Sequence, residues 1–257
     1  MSSFFDKKKI LITGASYGLG AVVAQELGEL GAELILTARS KDKLEKVLNN
    51  LPNKTKHTAI PCDFQSNQAI KKMCEKILLN YHNLDIIMHI AGGGLGIKDP
   101  MPIYDEYMKV LKLNLLSILE INRQLIPLMR KNETSSIFHV GSIASNEAVG
   151  SISYNIAKVG LVAYVRSLSN ELRGTGIIVN GISPGAFECE GNAMHRLKDR
   201  NLNAYKEFIE KKIPSRKMTS AKELLPLILL LIGKNNHIFN GNMVSCENGE
   251  GNFYKTI

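Results

Sequence analysis

Short apolar runs alternate with longer helical patterns along nearly the whole chain, and few folds satisfy that alternation. The runs are KILITG at 9–14, ELILTA at 33–38, HTAIPC at 57–62, LDIIMHIA at 84–91, SSIFHVGS at 135–142, GIIVNGIS at 176–183 and NMVSCE at 242–247. Most are continuously apolar, the pattern of strands covered on both faces. Helical segments lie between them at 18–30, 40–49, 66–81, about 103–131, 151–173, 191–211 and 220–232. Ser220 and Glu223 give the last of these a capping-box start. Right-handed crossovers place such helices on both faces of a parallel sheet. The expected fold class is α/β, a doubly wound parallel sheet of about seven strands. Sheets of this kind bind ligands beyond the carboxyl ends of their strands, where strand order reverses. Residues that follow strands are therefore the ones to search for chemistry.

With 257 residues and 44% hydrophobic content, the chain can bury a sizeable core. No repeat, low-complexity tract or composition shift marks a linker, so residues 1–257 are read as one domain. The N-terminal MSSFFDKKKI lacks the apolar run of a signal peptide. The greasiest stretch, 224–232, is about half the length needed to cross a bilayer. A cytoplasmic protein with no membrane partner is expected. Cys62, Cys74, Cys189 and Cys246 show no C-x-x-C spacing and the histidines no H-x-x-x-H, which argues against a disulfide framework and a metal site. A net charge of +8 invites a nucleic-acid reading. The lysines, however, are interleaved with acids in segments such as KDKLEKVL and KKMCEKIL, which are ordinary solvated helix faces. No nucleic-acid partner is expected.

The first strand runs into Thr13-Gly14-Ala15-Ser16-Tyr17-Gly18-Leu19-Gly20. Gly14, Gly18 and Gly20 permit a tight turn, close approach of backbone to a pyrophosphate and tight helix–strand packing. The helix that follows points its N-terminal N–H groups at the anion. Together with Ser16, Tyr17 and Leu19, these glycines form a candidate dinucleotide site, and the domain is read as Rossmann-type. At the end of strand two, NAD sites place a carboxylate for the ribose 2′-hydroxyl and NADP sites an arginine for the 2′-phosphate. The segment here is Leu36-Thr37-Ala38-Arg39-Ser40, without an acid, so NADP(H) is favoured and NAD(H) is the alternative. After strand three, Asp63 either accepts from the adenine amino group or caps the helix beginning near Ser66.

Tyr154 and Lys158, in SYNIAK, are four apart and share one face of a helix. A lysine ammonium there favours the phenolate, lowering a pKa that is about 10 when unperturbed. Such a phenol can give a proton to a carbonyl oxygen or take one from an alcohol. The ordered set of T-G-x-x-x-G-x-G, a later serine and Y-x-x-x-K resembles the short-chain dehydrogenase/reductase family, over nearly the whole chain. The resemblance implies a catalytic group of Asn114 in KLNLLS, Ser142 in HVGSIAS, Tyr154 and Lys158. It implies that Ser142 holds the substrate oxygen, Tyr154 delivers the proton, Lys158 holds the ribose hydroxyls and Asn114 anchors a water. Pro184-Gly185 in NGISPG matches the segment beside the nicotinamide, and Ala91-Gly92 the turn after strand four.

Two positions depart from the family pattern. Its N-N-A-G reads His89-Ile90-Ala91-Gly92 here, so the asparagines that brace the turn are gone. His89 either replaces one or is a core histidine. The usual threonine five residues after the proline is Cys189, a poor hydrogen-bonding substitute, which leaves Glu188 or backbone to do its work.

The activity implied is NADP(H)-dependent, reversible reduction of a carbonyl, with a non-catalytic NADP(H)-binding sensor as the reading of another class. Residues 187–217 fall where the family keeps its substrate lid, and Arg196, Lys198, Arg200, Lys206, Lys211 and Lys212 make that stretch basic. An anionic or carrier-bound substrate would use these charges; a solvated amphipathic helix needs no substrate to explain them. Reduction of 3-oxoacyl groups on a carrier protein and sugar modification in surface-polysaccharide synthesis are the alternatives for substrate. By the same resemblance, the helices at 103–131 and 151–173 build a homodimer or homotetramer.

Overall fold

The protein is described by a computed structural model covering residues 2–53, 56–97, 99–129 and 135–252. Its strands are β1 (Lys9–Thr13), β2 (Glu33–Ala38), β3 (Thr58–Pro61), β4 (Ile86–His89), β5 (Ser135–Val140), β6 (Ile177–Pro184), β7 (Phe187–Glu188), β8 (Thr219–Ser220) and β9 (Met243–Cys246). Seven of them form one parallel sheet in the order β3-β2-β1-β4-β5-β6-β9. The chain turns back on itself between β1 and β4, which makes their carboxyl ends the switch point. The helices are α1 (Ser2–Phe5), α2 (Gly18–Glu29), α3 (Lys41–Asn50), α4 (Asn67–Asn80), α5 (Tyr104–Leu111), α6 (Ser117–Leu125), α7 (Ile152–Glu171), α8 (Ala193–Arg200), α9 (Leu202–Lys212) and α10 (Leu225–Ile232). The fold is a Rossmann-type α/β fold, as the alternation predicts.

Side chains of a strand point alternately to its two faces, so continuously apolar strands feed two cores at once. Ile10 and Ile12 of β1 join Val23 and Leu27 of α2 and Ile228 of α10 on one face. Leu11 between them joins Ile70 and Met73 of α4, Ile121 of α6 and Val165 of α7 on the other. Both layers hold the strand ends where the site lies.

Two helical segments break where the pattern predicts continuity. The segment at 103–131 becomes α5, a π-helical turn at Lys112–Leu116, α6 and a 3-10 turn at Ile126–Leu128, with 130–131 outside the described residues. The segment at 191–211 splits at Asn201, which leaves helical geometry at φ −153° and caps α9 by accepting the Ala204 N–H at 3.0 Å. Ser220 and Glu223 do form a capping box, but it opens a 3-10 turn at Ala221–Leu224 ahead of α10. The small parallel pair β7–β8 has no counterpart in the expected elements. Among the described residues no helix is long and apolar enough to cross a membrane.

Candidate active site

The glycine-rich turn after β1 is built so that side chains cannot enter it. Gly14 has φ +72°, and a Cβ there would stand 2.7 Å from the Ala91 nitrogen. A Cβ on Gly20 would stand 2.2 Å from the Gly14 oxygen. These contacts bring β1, α2 and the turn after β4 together at the switch point, and the N–H groups of α2 open toward it. Ser16 and Leu19 are buried, and Tyr17 is extended and half exposed. This bare, donor-lined turn fits a dinucleotide pyrophosphate. Thr13 Oγ accepts N–H bonds from Ile90 at 3.0 Å and Ala91 at 3.2 Å, and donates to the Met88 oxygen at 3.3 Å. Its hydroxyl braces the turn that lacks the family's asparagines, a role only the T-G of the motif could have signalled.

Arg39 lies exposed directly after β2. Asp63 is exposed after β3, with one oxygen accepting the Gln65 N–H at 3.0 Å. Ser66, not Asp63, caps α4, by accepting the Ala69 N–H at 3.2 Å. The capping role considered for Asp63 is thus filled by Ser66, three residues on, because α4 begins at Asn67.

Ser142, Tyr154, Lys158 and Asn114 converge at the carboxyl ends of β4 and β5. Ser142 follows β5; its Oγ accepts the Ala144 N–H at 3.1 Å and faces the Tyr154 phenol closely enough to lower its pKa. Tyr154 lies in the first turn of α7. One turn on, Lys158 is 2% exposed, donates to the Val140 oxygen at 2.8 Å and lies 5.5 Å from the centre of the Tyr154 ring. Burial pushes the Tyr154 phenol above its ordinary value, and Ser142 offsets part of that. The lowering expected from Lys158 is not what sets this phenol: desolvation of the phenolate dominates, and Ser142 is the group that opposes it. Burial also lowers Lys158 to about 8.

Asn114 sits in the π turn, fully buried, and its amide clamps Gly93. Its Oδ1 accepts the Gly93 N–H at 2.9 Å, and its Nδ2 donates to the oxygens of Gly93 and Val110, each at 2.9 Å. A Cβ on Gly92 would come within 2.9 Å of Asn114 Oδ1 and 3.4 Å of Lys158 Nζ. Only glycine lets these groups meet there.

The family departures resolve into separate arrangements. His89 is a core histidine: it is buried, its Nε2 pairs with Asn122 Oδ1 at 2.8 Å, and its ring stacks on His139 at 5.1 Å. Cys189 places its sulfur against the start of α2, where a Cβ on Gly18 would stand 3.3 Å from it. Glu188, the side chain considered for the missing threonine's work, is engaged within the lid. Its carboxylate accepts from Lys198 at 2.8 Å and from the Tyr205 hydroxyl, and lies 3.8 Å from His195, which ties it to α8 and α9. Pro184 is buried beside Gly185, and the next N–H, that of Ala186, donates to Glu250 Oε2 at 2.5 Å. No local pattern around Glu250 announces that contact. Of the basic lid residues, Lys198 and Lys211 are held by Glu188 and Glu207, and Arg196 bonds the Gly191 oxygen.

The short chain dehydrogenase family model matches residues 8–200, from the edge of β1 through α8. The chain belongs to this family. It is an oxidoreductase, an enzyme that interconverts alcohol and carbonyl groups. It is 29% identical to a 3-oxoacyl-acyl-carrier-protein reductase of Buchnera aphidicola over 95% of this chain and 97% of that one. It is similar in structure to the NADP active-site complex of RhlG from Pseudomonas aeruginosa, with 27% identity, a TM-score of 0.87 and coverage of 97% and 99%. The L-sorbose reductase of Gluconobacter frateurii, in complex with NADPH and L-sorbose, shares the fold at a TM-score of 0.88 and 22% identity, with both chains covered completely.

Proposed function

We propose that this oxidoreductase reduces a small-molecule carbonyl, reversibly, with NADP(H), and that Tyr154 is its acid and base. The observation that carries this reading is the Lys158 ammonium 5.5 Å from the centre of the Tyr154 ring, with Ser142 facing the same phenol at the switch-point end of the sheet. The two hydroxyls present a pair of donors to one substrate oxygen. Tyr154 passes its proton to that oxygen, and the Lys158 ammonium stabilises the phenolate left behind. Asn114 keeps the Gly92–Gly93 turn open by holding both backbone groups of Gly93. A bound nicotinamide supplies the hydride.

In this reading Gly14, Ser16, Tyr17, Gly18, Leu19 and Gly20 hold the pyrophosphate, Arg39 the 2′-phosphate and Asp63 the adenine. Ala91, Gly92, Pro184 and Gly185 flank the nicotinamide and its ribose, with Tyr154 and Lys158. The absence of an acid after β2 and the NADP complex of the 27% identical relative support the phosphorylated cofactor. Residues 1–257 act as one domain with a lid over 187–217. A carrier-bound 3-oxoacyl substrate is supported by the names of relatives such as the Buchnera reductase. The lid's cations add little to that case, because three of the six are already engaged within the lid. Exposed Leu116, Ile152, Ile156 and Val159 on neighbouring helical turns support a homodimer or homotetramer, and four free cysteines support a cytoplasmic setting.

Tyr154→Phe tests the reading. Turnover should fall by ~10²-fold or more while NADPH binding, seen in its fluorescence, persists. A wild-type protein that binds NADPH yet reduces nothing in a panel of 3-oxoacyl thioesters, ketoses and simple ketones would favour the sensor instead.

A further inference from the structure

The side chain of Lys43 lies across an aromatic ring of the glycine-rich turn, where nothing in the motif requires it. Its ammonium is 5.3 Å from the centre of the Tyr17 ring. The ring is 47% exposed, and its far edge abuts the loop after β7, since a Cβ on Gly191 would stand 2.9 Å from it. Lys43 has no acidic partner among the described residues, whereas its neighbour Lys41 pairs with Glu45 at 3.7 Å. The one acid in the first turn of α3 is Asp42, a single residue away and so about 100° around the helix. Arg39, one turn before Lys43, is exposed and has no hydrogen-bond or ion-pair partner among the described residues. Two free cations thus flank the end of β2, one on the strand terminus and one on the first turn of α3.

We propose that Lys43 is a second cofactor-selectivity residue, contacting the ribose 2′-phosphate from the side opposite Arg39. The inference rests on the NADP(H) reading above and deepens it. A phosphate monoester dianion has oxygens enough for a guanidinium fork and for a separate ammonium point charge. A bare 2′-hydroxyl offers an ammonium no such attraction, so Lys43 acts on the choice between cofactors and little on binding in general. The Tyr17 ring holds the lysine near that position without a competing carboxylate.

Fluorescence titration of the full chain with NADPH and with NADH tests this, using wild type, Lys43→Gln, Lys43→Arg and Arg39→Gln. Lys43→Gln should weaken NADPH about tenfold and leave NADH within about twofold, and Lys43→Arg should restore most of the loss. NADPH affinity in Lys43→Gln should also fall less steeply with salt. If wild type prefers NADPH, Arg39→Gln loses that preference and Lys43→Gln keeps it in full, Lys43 is not a ligand and only this inference falls. Equal weakening of both cofactors by Lys43→Gln would show a structural role and overturn it too. A wild type without NADPH preference would remove the underlying reading itself.

Discussion

At the level of single residues, the acid–base centre is set by burial as much as by charge. Lys158 is enclosed by β5 and the Tyr154 ring, and desolvation brings its pKa from 10.5 to about 8. Below that pH it is an ammonium that can stabilise a Tyr154 phenolate; above it the charge is lost. The kcat/KM for carbonyl reduction should therefore decline as pH rises through about 8. Lys158→Arg, whose charge persists, should carry that limb to higher pH in whatever activity it keeps. A wild-type profile flat from pH 7 to 10 would separate Lys158's protonation from the chemistry. Spacing placed this pair on one helix face, and the glycine-rich turn and Ser142 in family order made it legible as a centre. Spacing says nothing of solvent, so the direction of the Tyr154 shift was beyond it.

At the level of elements, the strands were legible and the helix interruptions were not. A strand buried on both faces is apolar in an unbroken run, and Ile10 to Ile12 of β1, Leu34 to Leu36 of β2 and Ile86 to Met88 of β4 carry that mark. The π turn at Lys112–Leu116 is different, because the Asn114 amide is pulled inward by Gly93, twenty-one residues earlier in the chain. No periodicity within the helix encodes that partner. The split between α8 and α9 was half visible, since Asn201 is a good cap, but the lid's attachment was not. Glu188 on β7 gathers Lys198 of α8 and Tyr205 of α9 into one cluster, and these three residues span a strand and two helices. Glu188→Gln removes the charge from that cluster while keeping its shape. Hydrogen exchange should then quicken across α8 and α9, and the KM for substrate should rise more than kcat falls. Unchanged exchange in both helices would mean that their packing, and not Glu188, holds them down.

At the level of the whole molecule, the pair of histidines in the middle of the sheet couples its stability to pH. His89 and His139 are register partners on β4 and β5, both wholly buried, with Asn122 of α6 and Tyr164 of α7 closing around them. Desolvation lowers His89 from 6.5 to about 4 and holds His139 well below its ordinary value, with His89 itself adding to the effect on His139. In the unfolded chain both would bind protons near pH 6.5, so between there and pH 4 the unfolded state carries more protons than the folded one. Their contribution to stability is complete above pH 6.5 and is lost as pH falls toward 4. For His89 alone the loss amounts to roughly 3 kcal/mol by pH 4, a large share of the 5–15 kcal/mol that holds a typical domain together. Urea midpoints measured from pH 7 down to pH 4 should fall steadily. Replacing both residues with glutamine, which cannot titrate, should lower stability at pH 7 but flatten that dependence. Should the double variant keep the wild-type slope, carboxylates rather than this buried pair would govern acid unfolding.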